Sequence, residues 1–336
     1  MALRVARPVN RYVARPMSRY VARRVLWGIA LLFLVALLTF VFFYILPNAN
    51  GATLRAGPRP SAAVLAQVTQ ALGLGKPIYT QFWDYLKGLV LHFDLGYSYV
   101  SGQPVRELIF DRLPATLSLI AGVVVLWPAV GIALAVVCAA RRGRLIDRAA
   151  MGTAIVLNST PAFWLGLILL LLFASDIGKL PILPGASSYV GLTVSPGRWF
   201  TALILPWLTL AAGQAAISSR LLRDNLVAVM DSDYIRAELA SGSAEWRVRW
   251  RHAVRVAITP MTAILGVEIG GLLGGAILVE TVFSIPGIGS LNYQAAAAGD
   301  LSVLEGTVLV AAMFVVVLGV LADIAHVWLD PRARSS

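Results

Sequence analysis

The chain has 336 residues, enough for two soluble domains of ordinary size, yet 58% of it is apolar and only 13% charged. Globular proteins carry roughly 45–50% and 25%. With a mean hydropathy of +0.77, such a chain cannot clothe itself in polar groups. A water-soluble enzyme is excluded, and so is a disordered polymer, which needs low hydrophobicity. An integral membrane protein is the class that remains, and the helix-length apolar runs that follow make it all-α.

In chain order, residues 1–24 form an Arg-rich N-terminus. In it Asn10-Arg11-Tyr12-Val13-Ala14-Arg15 is echoed by Ser18-Arg19-Tyr20-Val21-Ala22-Arg23, on either side of Met17. Residues 1–16 therefore read as a duplicated extension or a misassigned start. The apolar run 25–46 covers 22 residues, longer than the roughly 7–15 of a signal peptide core, and reads as a retained spanning helix. A span needs about 20 apolar residues. Five more stretches qualify, near 116–140, 149–174, 200–217, 258–282 and 304–327, the fourth weakened by Pro206 and Gln214. Residues 47–115 form an excursion outside the membrane. Within it, Val64, Leu65, Val68, Ala71 and Leu72 predict one amphipathic helix, and Ile78, Phe82, Trp83, Tyr85, Leu86 and Leu89 a second.

Six spans place both termini on one side, and charge selects which. The N-terminus, the 141–148 connection, the 218–257 loop and the 328–336 tail together hold 20 basic and seven acidic residues; the opposite side holds eight and six. The positive-inside rule makes the first side cytoplasmic. The basic excess is thus topological, and nucleic-acid binding need not be invoked.

The 218–257 loop has a helix–turn–helix pattern. Tyr234, Ile235 and Leu239 are periodic between charges, Gly242 can supply a left-handed helix cap, and Trp246, Val248, Trp250 and Val254 follow. It is either a hairpin on the membrane surface or a docking element for a soluble partner. In the fifth span stands Glu268, an acid whose insertion costs on the order of 3 kcal/mol, so it is expected to face protein or a cavity. Gly270, Gly271 and Gly274 share that span and allow close helix approach; Glu280 and Asp323 lie near span ends. These residues serve packing, a pathway, or both.

Several chemistries are missing. The Gly75-Lys76 pair runs into Pro77 and makes no P-loop, and neither a G-x-S-x-G elbow nor an H-E-x-x-H helix occurs. One cysteine and the scattered His92, His252 and His326 give no ligand spacing for a metal.

Six strings resemble the inner-membrane permease subunits of ABC-type dipeptide/oligopeptide importers, a group that includes nickel permeases. They are Tyr20-Val21-Ala22-Arg23-Arg24; Leu72-Gly73-Leu74-Gly75-Lys76-Pro77; Asp94-Leu95-Gly96 with Arg112-Leu113-Pro114-Ala115-Thr116-Leu117; Gly275 through Ser284 with Pro286-Gly287-Ile288-Gly289; the loop 233–255; and Asp330-Pro331-Arg332-Ala333-Arg334. In the loop Asp233-Tyr234-Ile235-Arg236, Gly242 standing 18 residues before Pro260, and His252-Ala253-Val254-Arg255 carry the likeness, while Glu238, Ser241 and Ser243-Ala244-Glu245 depart from it. The resemblance implies a six-helix, type-1 ABC importer permease fold with its transmembrane domain at 113–327. It assigns Asp233, Tyr234, Ile235, Arg236, Gly242, His252, Arg255 and Pro260 to contact with an ATPase. It also implies a second homologous permease, two ATPase domains that bind ATP and Mg, an extracytoplasmic solute-binding protein and a peptide cargo, with no cofactor in this chain. A nickel permease of the same family is the alternative. A stand-alone channel or secondary transporter would need no coupling loop and would more often show inverted repeats; an accessory membrane scaffold is the remaining reading.

Overall fold

A computed structural model describes residues 17–45, 61–71, 73, 75–244, 247–248 and 253–329. The N-terminal extension, His252, Trp246, Trp250 and the D-P-R-x-R tail lie outside the described residues. Helix α1 runs Met17–Phe40 and continues as a π-helical turn, Val41–Ile45. Two shorter helices follow, α2 (Ala62–Ala71) and α3 (Ile78–His92), then a small antiparallel hairpin, β1 (Tyr97–Ser98) with β2 (Gln103–Pro104). The body consists of α4 (Val105–Ala140), α5 (Leu145–Ser159), α6 (Ala162–Phe173) and α7 (Pro196–Met230). After it come α8 (Asp233–Ala240), the single turn α9 (Val254–Ala257), α10 (Thr259–Val282), α11 (Ile288–Ala298) and α12 (Leu301–Leu329).

Among the described residues, four helical stretches have the length and apolarity to cross a membrane: Val21–Ile45, Val105–Ala140, Pro196–Met230 and Leu301–Ile324. The expected third span, 149–174, is not one rod. Helices α5 and α6 meet at a bend of 111° and count together as one further span at most. The cause is local: Pro161 disfavours helical backbone at the residue before it, and Thr160 is extended, at φ −89° and ψ 126°. The expected fifth span corresponds to α10.

Two expected spans are parts of far longer helices. Helix α4 begins at Val105 rather than near 116, and α7 runs on to Met230 rather than ending at 217. At 1.5 Å per residue they extend about 54 and 52 Å, well beyond a hydrocarbon core of about 30 Å. The first turns of α4 thus come from the region read as an excursion, and the last turns of α7 from the region read as a loop.

Helices α4 and α7 form the central pair. Two tryptophans bind them, each with its indole N–H satisfied as burial demands. Trp127 donates to Ser218 Oγ at 2.5 Å, and Trp207 to the Ser118 carbonyl at 3.1 Å. The Trp207 ring lies in the notch left by Gly122, where a Cβ would collide with it. Leu119, Val123, Leu203, Ala211, Leu272 and Val279 fill the core between α4, α7 and α10. On one flank α1 packs along α12, with Gly28 against Val316 and Arg24 3.1 Å from Asp323. Of the face read on α3, Phe82 and Tyr85 join an aromatic cluster with Phe33, Phe40 and Tyr44 of α1 and its π turn. Ile78 and Trp83 remain exposed.

Candidate functional site

At one end of the central pair sits the segment expected to couple. Its string Asp233-Tyr234-Ile235-Arg236 divides by direction. Ile235 is fully buried, in a cluster with Ala135 and Val136 of α4, Leu222 and Leu226 of α7, and Val248, Ala253, Val254 and Ala257. Asp233, Tyr234 and Arg236 face outward, and the Asp233–Arg236 approach of 3.6 Å is a loose surface contact. Ile235, with half-buried Leu239 packed on the same cluster, therefore clamps α8 to both long helices while its polar neighbours are presented to the surroundings.

Helix α8 ends at Ser241, and Gly242 takes φ +88°, the left-handed conformation the turn was expected to need. A Cβ there would meet nothing within 4 Å, so the demand for glycine is one of backbone angle, not space. Arg255 is exposed on α9. Pro260 occupies the first turn of α10, where its missing N–H leaves no helix bond unmade.

Beside this segment lies an ion pair that sequence reading did not single out. Arg223 on α7 grips Asp147 on α5 with two bonds, Nη2 to Oδ2 at 2.6 Å and Nε to Oδ1 at 3.1 Å. Asp147 is buried and also accepts the Gly143 amide at 2.8 Å. Arg142, in the same α4–α5 connection, reaches Asp231 just before α8 at 3.1 Å. In the sequence these residues register only as loop charges, since pairing across 76 positions leaves no local pattern.

At the opposite end Glu280 organises a buried polar knot. Its carboxylate accepts the Thr116 hydroxyl at 2.6 Å and the Ser290 amide at 3.0 Å. Thr116 Oγ1 in turn accepts the Ile288 amide at 2.8 Å. The acid thus sits on the N-terminus of α11, where free amides and the helix dipole favour negative charge. A Cβ on Gly287 would overlap this carboxylate, and one on Gly289 would strike the Ile277 backbone as well. The two strings noted separately, around Thr116 and from Glu280 to Gly289, are two sides of one joint. Near it Ser98 of the hairpin donates to buried Asp300 at 2.5 Å, and Asp300 caps α12 through the Val303 amide.

The structure divides the residues expected to serve packing or a pathway. Gly270, Gly274 and Glu280 line a cavity of about 290 Å³ between α4, α10, α11 and α12, with Gly270 close to Val315. Gly271 lies on the side of α10 toward α7. Glu268 is half-buried, three residues before Gly271 and so on its face of the helix. Among the described residues no three His, Cys, Asp or Glu side chains gather as a metal site.

Long apolar helices, with the short polar helix α8 clamped to one end of the central pair, are the frame in which these residues sit. The chain belongs to the family of binding-protein-dependent transport system inner membrane components. That family's model matches residues 131–335, and the model of its N-terminal region matches residues 17–120. The chain is thus an ABC importer permease, a membrane transport component rather than an enzyme. It is 36% identical over 311 residues to a Brucella abortus chain named as a peptide transport system permease protein, covering 93% of this chain and 97% of the other. It is equally similar, over the same shares, to the glutathione transport system permease protein GsiC of Salmonella typhimurium.

Proposed function

We propose that this chain forms half of the membrane path of an ATP-driven importer for dipeptides and oligopeptides. The similarity to relatives named for peptide and glutathione transport, running over 93% of the chain, carries this reading. In it both termini are cytoplasmic and the chain crosses six times, α5–α6 being the third crossing and α10 the fifth. A second homologous permease completes the path, an extracytoplasmic solute-binding protein delivers the peptide, and two ATPase domains hold ATP and Mg.

Force enters through α8. Ile235 ties that helix to α4 and α7, so an ATPase pushing on Asp233, Tyr234 and Arg236 moves the inner ends of the two longest helices. Closure of the ATPases around ATP would then alternate the path between its two faces.

The test is reconstitution of the chain with the neighbouring permease, ATPase and binding-protein subunits in liposomes. ATP-dependent accumulation of labelled di- and tripeptides is expected. Robust nickel uptake without peptide uptake would replace the cargo, and uptake indifferent to ATP would remove the importer reading.

A further inference from the structure

The bend between α5 and α6 opens a second cavity, of about 190 Å³, against α7 and α10. Resting on the importer reading, we propose that this cavity is a station on the peptide's path where the side-chain amides of Gln214 and Asn158 hydrogen-bond the peptide backbone.

Depth is the first support. Counted at 1.5 Å per residue, Asn158 lies about 20 Å along α5, Gln214 about 27 Å along α7 and Gly271 about 18 Å along α10. Gln214 and Gly271 thus stand about midway along their helices, and Asn158 just before the bend that divides α5 from α6, so the cavity lies far from the ends of α7 and α10. Polarity is the second. In an apolar span, Asn158, Thr160 and Gln214 converge on one cavity. Asn158 is exposed, and an amide turned to hydrocarbon is costly, so it faces a polar space. Gln214 Oε1 is buried and has no hydrogen-bond partner among the described residues. Room is the third. Gly213 and Gly271 line the cavity, and a Cβ at either would meet nothing within 4 Å. These glycines are therefore not spent on helix contact; they leave a passage open.

The ligand class follows from the donors. Each carboxamide offers both N–H and C=O, the complement of a peptide unit whatever side chains it bears. No charge in this cavity would select one residue type. Such a site suits a path that must pass many sequences, with selection left to the delivering protein.

The complete transporter in liposomes provides the test, with co-purification of the ATPase subunits as the check on assembly. Gln214→Leu should raise KM for dipeptide uptake about tenfold, and Gln214→Asn should recover part of the loss. Because the native Cys138 is buried, a Gly271→Cys chain can be tagged selectively with a membrane-impermeant maleimide. Tagging should be at least fivefold faster than for Val125→Cys on an exposed apolar face, and saturating dipeptide should slow it. An unchanged KM in assembled Gln214→Leu overturns the proposal. Should that variant fail to assemble, tagging decides: a rate at Gly271→Cys no faster than at Val125→Cys, in a transporter that moves peptide, overturns this site and leaves the importer reading intact. If the wild-type complex moves no peptide while the assembled Gly271→Cys complex tags rapidly, the peptide cargo is overturned instead.

Discussion

A single carboxylate explains a run of ten residues. Glu280 is fully buried but faces the amides that open α11, so its carboxyl oxygens are met by the Thr116 hydroxyl and backbone N–H groups. Gly287 and Gly289 are then required by crowding, because a methyl group at either would enter the carboxylate's space. Glu280→Ala strands those donors, at about 1–3 kcal/mol for each buried group left unmade, and should lower the Tm of the detergent-purified protein by several degrees. Glu280→Gln, which keeps an acceptor, should be the milder change. Gly289→Ala overpacks the joint, with a cost of about 1–3 kcal/mol. A Glu280→Ala protein as stable as wild type would show that the knot is incidental.

At the scale of elements, α8 and its turn carry the sharpest consequence. Gly242 sits at φ +88°, a region β-branched residues all but never enter. Gly242→Val should therefore misdirect the chain after α8 and abolish co-purification of the ATPase, while Gly242→Asn, which tolerates left-handed backbone, keeps most of it. Full ATPase recovery with the valine variant would remove the turn from the coupling element. This glycine was legible in the sequence, since a turn between two amphipathic runs announces itself locally. The apolar runs of α1, α4, α7 and α12 were legible for the same reason. Where the long helices end was not, because the last turns of α7 and the first of α4 are amphipathic and read as loop. The break in 149–174 was missed differently. Pro161 looks no different from Pro114, Pro128 and Pro206, which lie inside unbroken helices; tertiary packing decides which proline bends. Glu280 and Thr116 stood in quoted strings, but no local pattern says that positions 164 apart touch.

Across the whole molecule, the Asp147–Arg223 pair fastens α5 to α7 beside α8. Asp147→Ala leaves Arg223 short of its buried partner, though the exposed Asp224 at 2.8 Å still meets it. The double variant Asp147→Ala/Arg223→Ala should be less damaged than the two single losses added together. A coupling of about 1–3 kcal/mol between them is expected from thermal unfolding; strict additivity would mean the pair contributes no joint stability. The two ends of the protein are also fastened by different materials. At the hairpin end, Thr116–Glu280–Ser290 and Ser98–Asp300 are buried, sheltered from dissolved ions. At the α8 end, Arg142–Asp231 has both side chains more than half exposed, and at 1 M salt the screening length shrinks to about 3 Å. Rising ionic strength should therefore weaken the Arg142–Asp231 contact and loosen α8 modestly, by about 0–1 kcal/mol, while the Ile235 cluster still holds the helix. Hydrogen exchange at rising salt would show amides 287–290 unchanged and those of α8 quickening, a stiff crown above a foot that salt can soften.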